Sequence, residues 1–136
     1  MELNAATIIT VVLPLPPKAC SPNARSHWAT KARAVRSYRT DAGLAATAAI
    51  REASRALDWV GRRLPRWEMA IATVHYFTRT RHRMDEDNAC LQPAWAGFQD
   101  AGLVQDSAGL SVKMATDWRQ IDKDNPRVEV EITESK

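Results

Sequence analysis

Between residues 28 and 57 the chain keeps to one pattern, and that pattern limits what it can become. Ala32, Val35, Ala42, Leu44, Ala45, Ala49, Ala53 and Leu57 recur at spacings of three and four, which predicts a helix with a mainly small-residue face. Small residues on that face let a helix lie close against a sheet or a second helix. Lys31, Arg33, Arg36, Arg39, Arg51 and Arg55 decorate the rest of its surface, either as a solvated face or as contacts for a polyanion. Gly43 weakens the middle, where a bend or a break is expected.

Strands flank this helix. Residues 7–13 (TIITVVL) form a β-branched run buried on at least one face, and Pro14, Pro16 and Pro17 stop it because proline cannot donate to a ladder. In residues 68–80 both alternating sets are largely apolar, the pattern of a central strand covered on both faces. His75 within it reads as a packed or hydrogen-bonded core histidine rather than a catalyst. Residues 110–115 form a short strand, and residues 127–133 (RVEVEIT) a clearer one, with Val128, Val130 and Ile132 on its apolar face and Glu129 and Glu131 on its polar face. Residues 116–126 read as a polar connection. The expected fold is therefore α+β, with order β-α-β-α-β-β: a small mixed sheet with two main helices packed on it, in one domain of residues 1–136.

Composition excludes several classes. No apolar run reaches the roughly 18 residues of a membrane span, and residues 1–14 lack the basic start and cleavage site of a signal peptide. Cys20 and Cys90 make no disulfide framework and have no partners at zinc spacing, so a reduced, cytoplasmic protein is expected. The net charge of +3 hides an asymmetry. Residues 18–83 hold 14 Lys and Arg against 4 Asp and Glu, and residues 84–136 hold 5 against 11. That division suits one surface for a polyanion and another for a divalent cation.

Both chemistries meet in residues 79–106. Arg79, Arg81, His82 and Arg83 lead directly into Asp85, Glu86 and Asp87, and Asp106 follows an apolar-periodic segment. On a helix Asp85 and Asp87 would diverge by about 200°, so they can share a metal only from an extended or turn backbone. Pro93 is comfortable only in a first helical turn, which starts the second helix near residues 89–92 and leaves the carboxylates in the turn before it. Leu91, Trp95, Phe98 and Gly102 share its stripe, with Gly102 as C-terminal cap. The helix would return the chain so that Asp106 approaches Asp85 and Asp87. The blander reading is a capping and solvation turn. A calcium loop is disfavoured, because the EF-hand pattern wants a ligand at Ala89, a glycine at Cys90 and a glutamate at Ala96.

Taken in order, LPLPP, SPNAR, HWATKARAVRSYR, DEDN, QDAGLVQDS and NPRVEVEI resemble the RusA family of Holliday-junction resolvases, its phage and prophage branch in particular, over nearly the whole chain. The resemblance implies a homodimer that cleaves four-way DNA junctions with magnesium, manganese being a possible substitute. A symmetric pair suits a substrate that needs two matched cuts. It also implies that Asp85, Asp87 and Asp106 are the metal ligands. Lys18, Asn23, Arg25, His27, Lys31, Arg33, Arg79, Arg81 and Arg83 would contact DNA. Gln92 stands where the family carries a catalytic lysine, and it keeps a hydrogen-bond donor without the charge that offsets the pentacovalent phosphate. Ala96 replaces a carboxylate, and the paired aspartates of the acidic turn are reduced to Gln105-Asp106. Two alternatives stay open: a binder of branched DNA with little cleavage, and a cation-stabilised structural domain with no DNA partner.

Overall fold

The computed structural model of the chain describes residues 7–20, 27–56, 64–80 and 91–135. Four strands, β1 (Ile8–Leu13), β2 (Ala70–Thr78), β3 (Leu110–Ile121) and β4 (Arg127–Glu134), form one mixed sheet in the order β1-β4-β2-β3. The β1–β4 and β4–β2 pairs are antiparallel and β2–β3 is parallel. Helices α1 (Trp28–Ala56) and α2 (Gln92–Asp100) complete an α+β fold in the expected element order. Among the described residues no helix is long and apolar enough to cross a membrane.

Strand alternation sorts the sheet into two faces. Ile9, Val11 and Leu13 of β1, Val128, Val130 and Ile132 of β4, and Ala70, Ala72, Val74 and Tyr76 of β2 are all buried. Tyr38, Ala42, Ala46 and Ile50 of α1 and Ala94, Trp95 and Phe98 of α2 belong to the same core cluster. The alanines of β2 leave room for those rings. The opposite face carries Ile71, Thr73, His75 and Phe77, each only partly buried, and the exposed Ile8 and Val12. So β2 is an inner strand, as expected, but only one of its faces is fully buried.

Three further expectations need correction. Gly43 does not break α1, which runs unbroken past it. The glycine serves instead as the crossing point with α2, its neighbour there being the Gly97 backbone. Leu44 and Ala32 are exposed, and the inward stripe runs through Val35, Tyr38, Ala42, Ala46 and Ile50. The polar connection shrinks to residues 122–126, because β3 continues to Ile121. It does so through a bulge: from the Val74–Met114 pair to the Tyr76–Arg119 pair, β3 advances five residues while β2 advances two. The insertion turns Trp118 edge-on to Tyr76, with ring centroids 5.8 Å apart. The hydrophobic pattern of residues 116–121 is too polar to announce an edge strand of this kind.

The helix crossing leaves no room for a side chain at Gly97. A Cβ on Gly97 would lie 2.5 Å from the Arg39 carbonyl oxygen, 2.8 Å from the Gly43 nitrogen and 2.9 Å from the Ala42 Cβ, whereas one on Gly43 would meet nothing closer than 3.4 Å. Gly97→Ala is therefore expected to destabilise by roughly 1–3 kcal/mol through overpacking. Gly43→Ala is expected to be neutral, or stabilising by under about 1 kcal/mol through helix propensity. Urea midpoints of the two variants check this asymmetry.

Candidate functional site

The chain leaves β2 at a point held by Arg119 of β3 and by Asp122, the residue that follows β3. Asp122 donates its N–H to the Thr78 carbonyl at 2.8 Å, and Arg119 Nη2 donates to the Thr80 carbonyl at 3.3 Å. Arg127, the first residue of β4, braces the same end. Its Nη1 contacts Asp122 Oδ2 at 2.8 Å and its Nε contacts Glu129 Oε2 at 2.6 Å. Its guanidinium carbon lies 4.0 Å from the centroid of the Phe77 ring. Arg79 is exposed just beyond this brace.

The chain re-enters at Leu91, a buried N-cap with no side-chain cap bond, and Pro93 sits in the first turn of α2. Gln92 is the first residue of α2 and is exposed. At the far end Gly102 takes φ +82°, Gly102 N–H donates to the Gln99 carbonyl and Leu103 N–H to the Phe98 carbonyl. These two bonds form a Schellman cap, as expected of that glycine.

Asp106 follows immediately and is exposed. Its Oδ1 accepts from Ala108 N–H at 2.9 Å and so caps the short 3-10 turn Ser107–Gly109. The turn is held from α2 as well, through Ser107 N–H to Gln99 Oε1 at 3.0 Å. The preceding residue, Gln105, donates its N–H to the Trp67 carbonyl at 3.0 Å. The carboxylate thus stands on a rigid mount rather than on a free loop. The cap uses one of its oxygens, and the lone pairs of the other are chemically suited to a hard cation.

The sheet register separates the expected site residues. Asp106 lies beside the N-terminal end of β2, where Val104 bridges Trp67 and Leu110 pairs with Ala70. Arg79 lies past the C-terminal end, some 26 Å away at about 3.3 Å per strand residue. Lys18 sits in the 3-10 turn Lys18–Cys20, after the end of β1 that shares this C-terminal end of β2. His27, Lys31 and Arg33 lie at the start of α1, which packs against that turn. Asp85, Asp87, Asn23, Arg25, Arg81 and Arg83 lie outside the described residues, as does Cys90. Among the described residues no three His, Cys, Asp or Glu side chains are grouped as a metal site. Cys20 is buried.

His75 differs from its sequence reading. It lies on the partly open face of the sheet rather than in the core, with Nε2 3.0 Å from Glu131 Oε1 on the neighbouring strand. The pairing of β2 with β4 places Thr73 opposite Glu131 and His75 opposite Glu129, so this contact is diagonal. The Arg127 brace was also not anticipated. The one available signal was the alternation of β4, which puts Arg127, Glu129 and Glu131 on a single face.

Two carboxylates are held below their ordinary range. Asp100 accepts two bonds from Arg39, at 2.7 and 2.8 Å, and this bidentate contact lowers its pKa. Asp122 is lowered by Arg127 first and then by the Asn125 N–H. A depressed folded-state value stabilises the fold above the unfolded pKa, and the contribution fades as pH falls through the folded value. The affected window is therefore below about pH 4. Arg127→Gln is expected to return the Asp122 titration upward toward 3.8. Carboxyl-carbon NMR titration of Asp122 in both proteins checks this.

No protein-family model matches the chain. A protein of Xylella fastidiosa (strain Temecula1 / ATCC 700964), described as uncharacterized, is 31% identical over 110 residues, covering 79% of this chain and 67% of that protein. At that identity and coverage, this chain belongs to the same family as the Xylella fastidiosa protein.

Proposed function

We propose that the chain is a magnesium-dependent endonuclease of the RusA type, which resolves four-way DNA junctions as a homodimer through paired symmetric cuts. The observation that carries this reading is the arrangement around α2. In the sequence Asp85-Glu86-Asp87-Asn88 shortly precedes it, and in the structure the exposed, firmly mounted Asp106 follows its exit. Oxygen donors of this kind fit a hard divalent cation, with Asp85, Asp87 and Asp106 as its ligands. Bound there, magnesium would supply an acidified water and charge stabilisation for the departing 3′ oxygen.

The protein's own groups do the rest. Lysines and arginines of the basic half, Lys18, Lys31, Arg33 and Arg79 among them, neutralise phosphates and hold the arms of the junction. Gln92, exposed at the first turn of α2, donates a hydrogen bond to a phosphate oxygen without adding charge. That substitution favours a second reading, in which the protein binds junctions and cuts them poorly.

Asp106→Asn separates ligation from folding, because asparagine caps a turn as well as aspartate does. It is expected to lower the magnesium-dependent cleavage rate by about 100-fold or more and to leave the melting temperature nearly unchanged. Gln92→Lys is expected to raise the single-turnover rate by about tenfold or more, by restoring a cation near the phosphate. Equal cleavage by Asp106→Asn and the unmodified protein would contradict the assigned ligand set. A slow protein that Gln92→Lys accelerates would identify the impaired binder.

A further inference from the structure

Helix α1 outruns the sheet it covers. Its 29 residues span about 43 Å, and its first fully buried side chain is Tyr38, whose hydroxyl donates to the Pro14 carbonyl at 2.7 Å just past the end of β1. Before it Ala34 and Val35 pack against the core, partly buried, while Trp28, Thr30, Ala32 and Arg33 are exposed. Trp28 lies seven residues before Val35, within roughly 20° of the same stripe at 100° per residue. It therefore continues the inward stripe of Val35, Ala42 and Ala46, but it is 76% exposed.

This indole is presented, not packed. The His27 ring lies beside it at a centroid distance of 5.6 Å and a tilt of 33°. His27 is itself fixed, because its Nδ1 accepts from Ala29 N–H at 3.2 Å. The other described tryptophans are occupied: Trp67 and Trp95 are buried, and Trp118 packs edge-on against Tyr76. Cations share its side of the helix: Lys31, one turn on, and Arg36, two turns on, lie within roughly 80° of Trp28 at 100° per residue, and Lys18 lies in the turn packed on this helix. An apolar peptide would want aliphatic neighbours around the ring. A flat aromatic face with a cationic border suits a nucleobase attached to its phosphate.

We propose that Trp28, backed by His27, is a stacking platform for an unpaired base at the branch of the DNA substrate. The inference rests on the nucleic-acid reading above and deepens it, assigning to the end of α1 a contact with the base rather than with the backbone. Base stacking releases no counterions, so its loss changes affinity without changing the salt slope.

The test uses a four-way junction carrying 2-aminopurine at the branch, titrated with the unmodified protein, Trp28→Ala, Trp28→Phe and Lys31→Ala. Trp28→Ala is expected to weaken binding by about tenfold or more with an unchanged salt slope, and to abolish the change in 2-aminopurine emission. Trp28→Phe should keep most of both, and Lys31→Ala should lower the slope by about one. Melting curves of all four proteins confirm that they fold. Trp28→Ala binding as tightly as the unmodified protein, with the same emission change, overturns the platform and leaves the nuclease reading intact. An affinity loss in Trp28→Ala without any emission change in the unmodified protein also overturns it, since the ring then contacts something other than a branch base. If the unmodified protein binds neither this junction nor a single-stranded oligonucleotide, the nucleic-acid reading itself fails.

Discussion

Backbone-to-backbone contact between α1 and α2 is the constraint on which the rest of the structure depends. Gly97 brings the carbonyl of Arg39 and the nitrogen of Gly43 within the distance that any side chain would occupy. Only at that separation can both helices share one face of the sheet while Phe98 and Trp95 reach its core. The bidentate Arg39–Asp100 bridge spans the same crossing from the solvent side. Exposed pairs of this sort contribute little by themselves, so the bridge fixes orientation more than it adds stability. The position of α2 then decides where Gln92 stands at one end and where the Gly102 turn delivers Asp106 at the other.

Much of this fold is legible in the residues, and the reasons are local. The alternation of Val128, Val130 and Ile132 against Glu129 and Glu131 leaves a single register in which one face is apolar, and β4 adopts it. Pro93 and Gly102 bracket α2 because proline's fixed φ suits a first helical turn and glycine takes the +82° φ of the cap without strain. What local pattern does not carry is the partner of each face. Gly43 reads as a weak point until Gly97, 54 residues on, is seen against it. The extension of β3 to Ile121 depends on pairing with β2 through a bulge, and pairing partners are not written in a polar segment such as residues 116–121.

The candidate site divides in the same way. Residue types and order identify carboxylates before and after α2 and a basic first half, because charge needs no tertiary context to be counted. Distances do need it. The register puts Asp106 at the N-terminal end of β2 and Arg79 past the opposite end, so these two described residues of the stretch stand well apart. An extended substrate that touches the protein along the length of the sheet is compatible with that separation. The exposure of Trp28 is likewise invisible in sequence, where an aromatic on an inward stripe reads as core.

The central claim is that the chain makes two matched cuts in branched DNA. A fixed four-way junction, labelled in turn on each strand and incubated with the unmodified protein in magnesium, tests it most directly. The account predicts nicks at symmetry-related positions on two opposing strands, leaving ligatable duplex products, and none on a linear duplex of the same sequence. Junction left whole in both magnesium and manganese would contradict the account, whether or not the protein retains the junction at low salt.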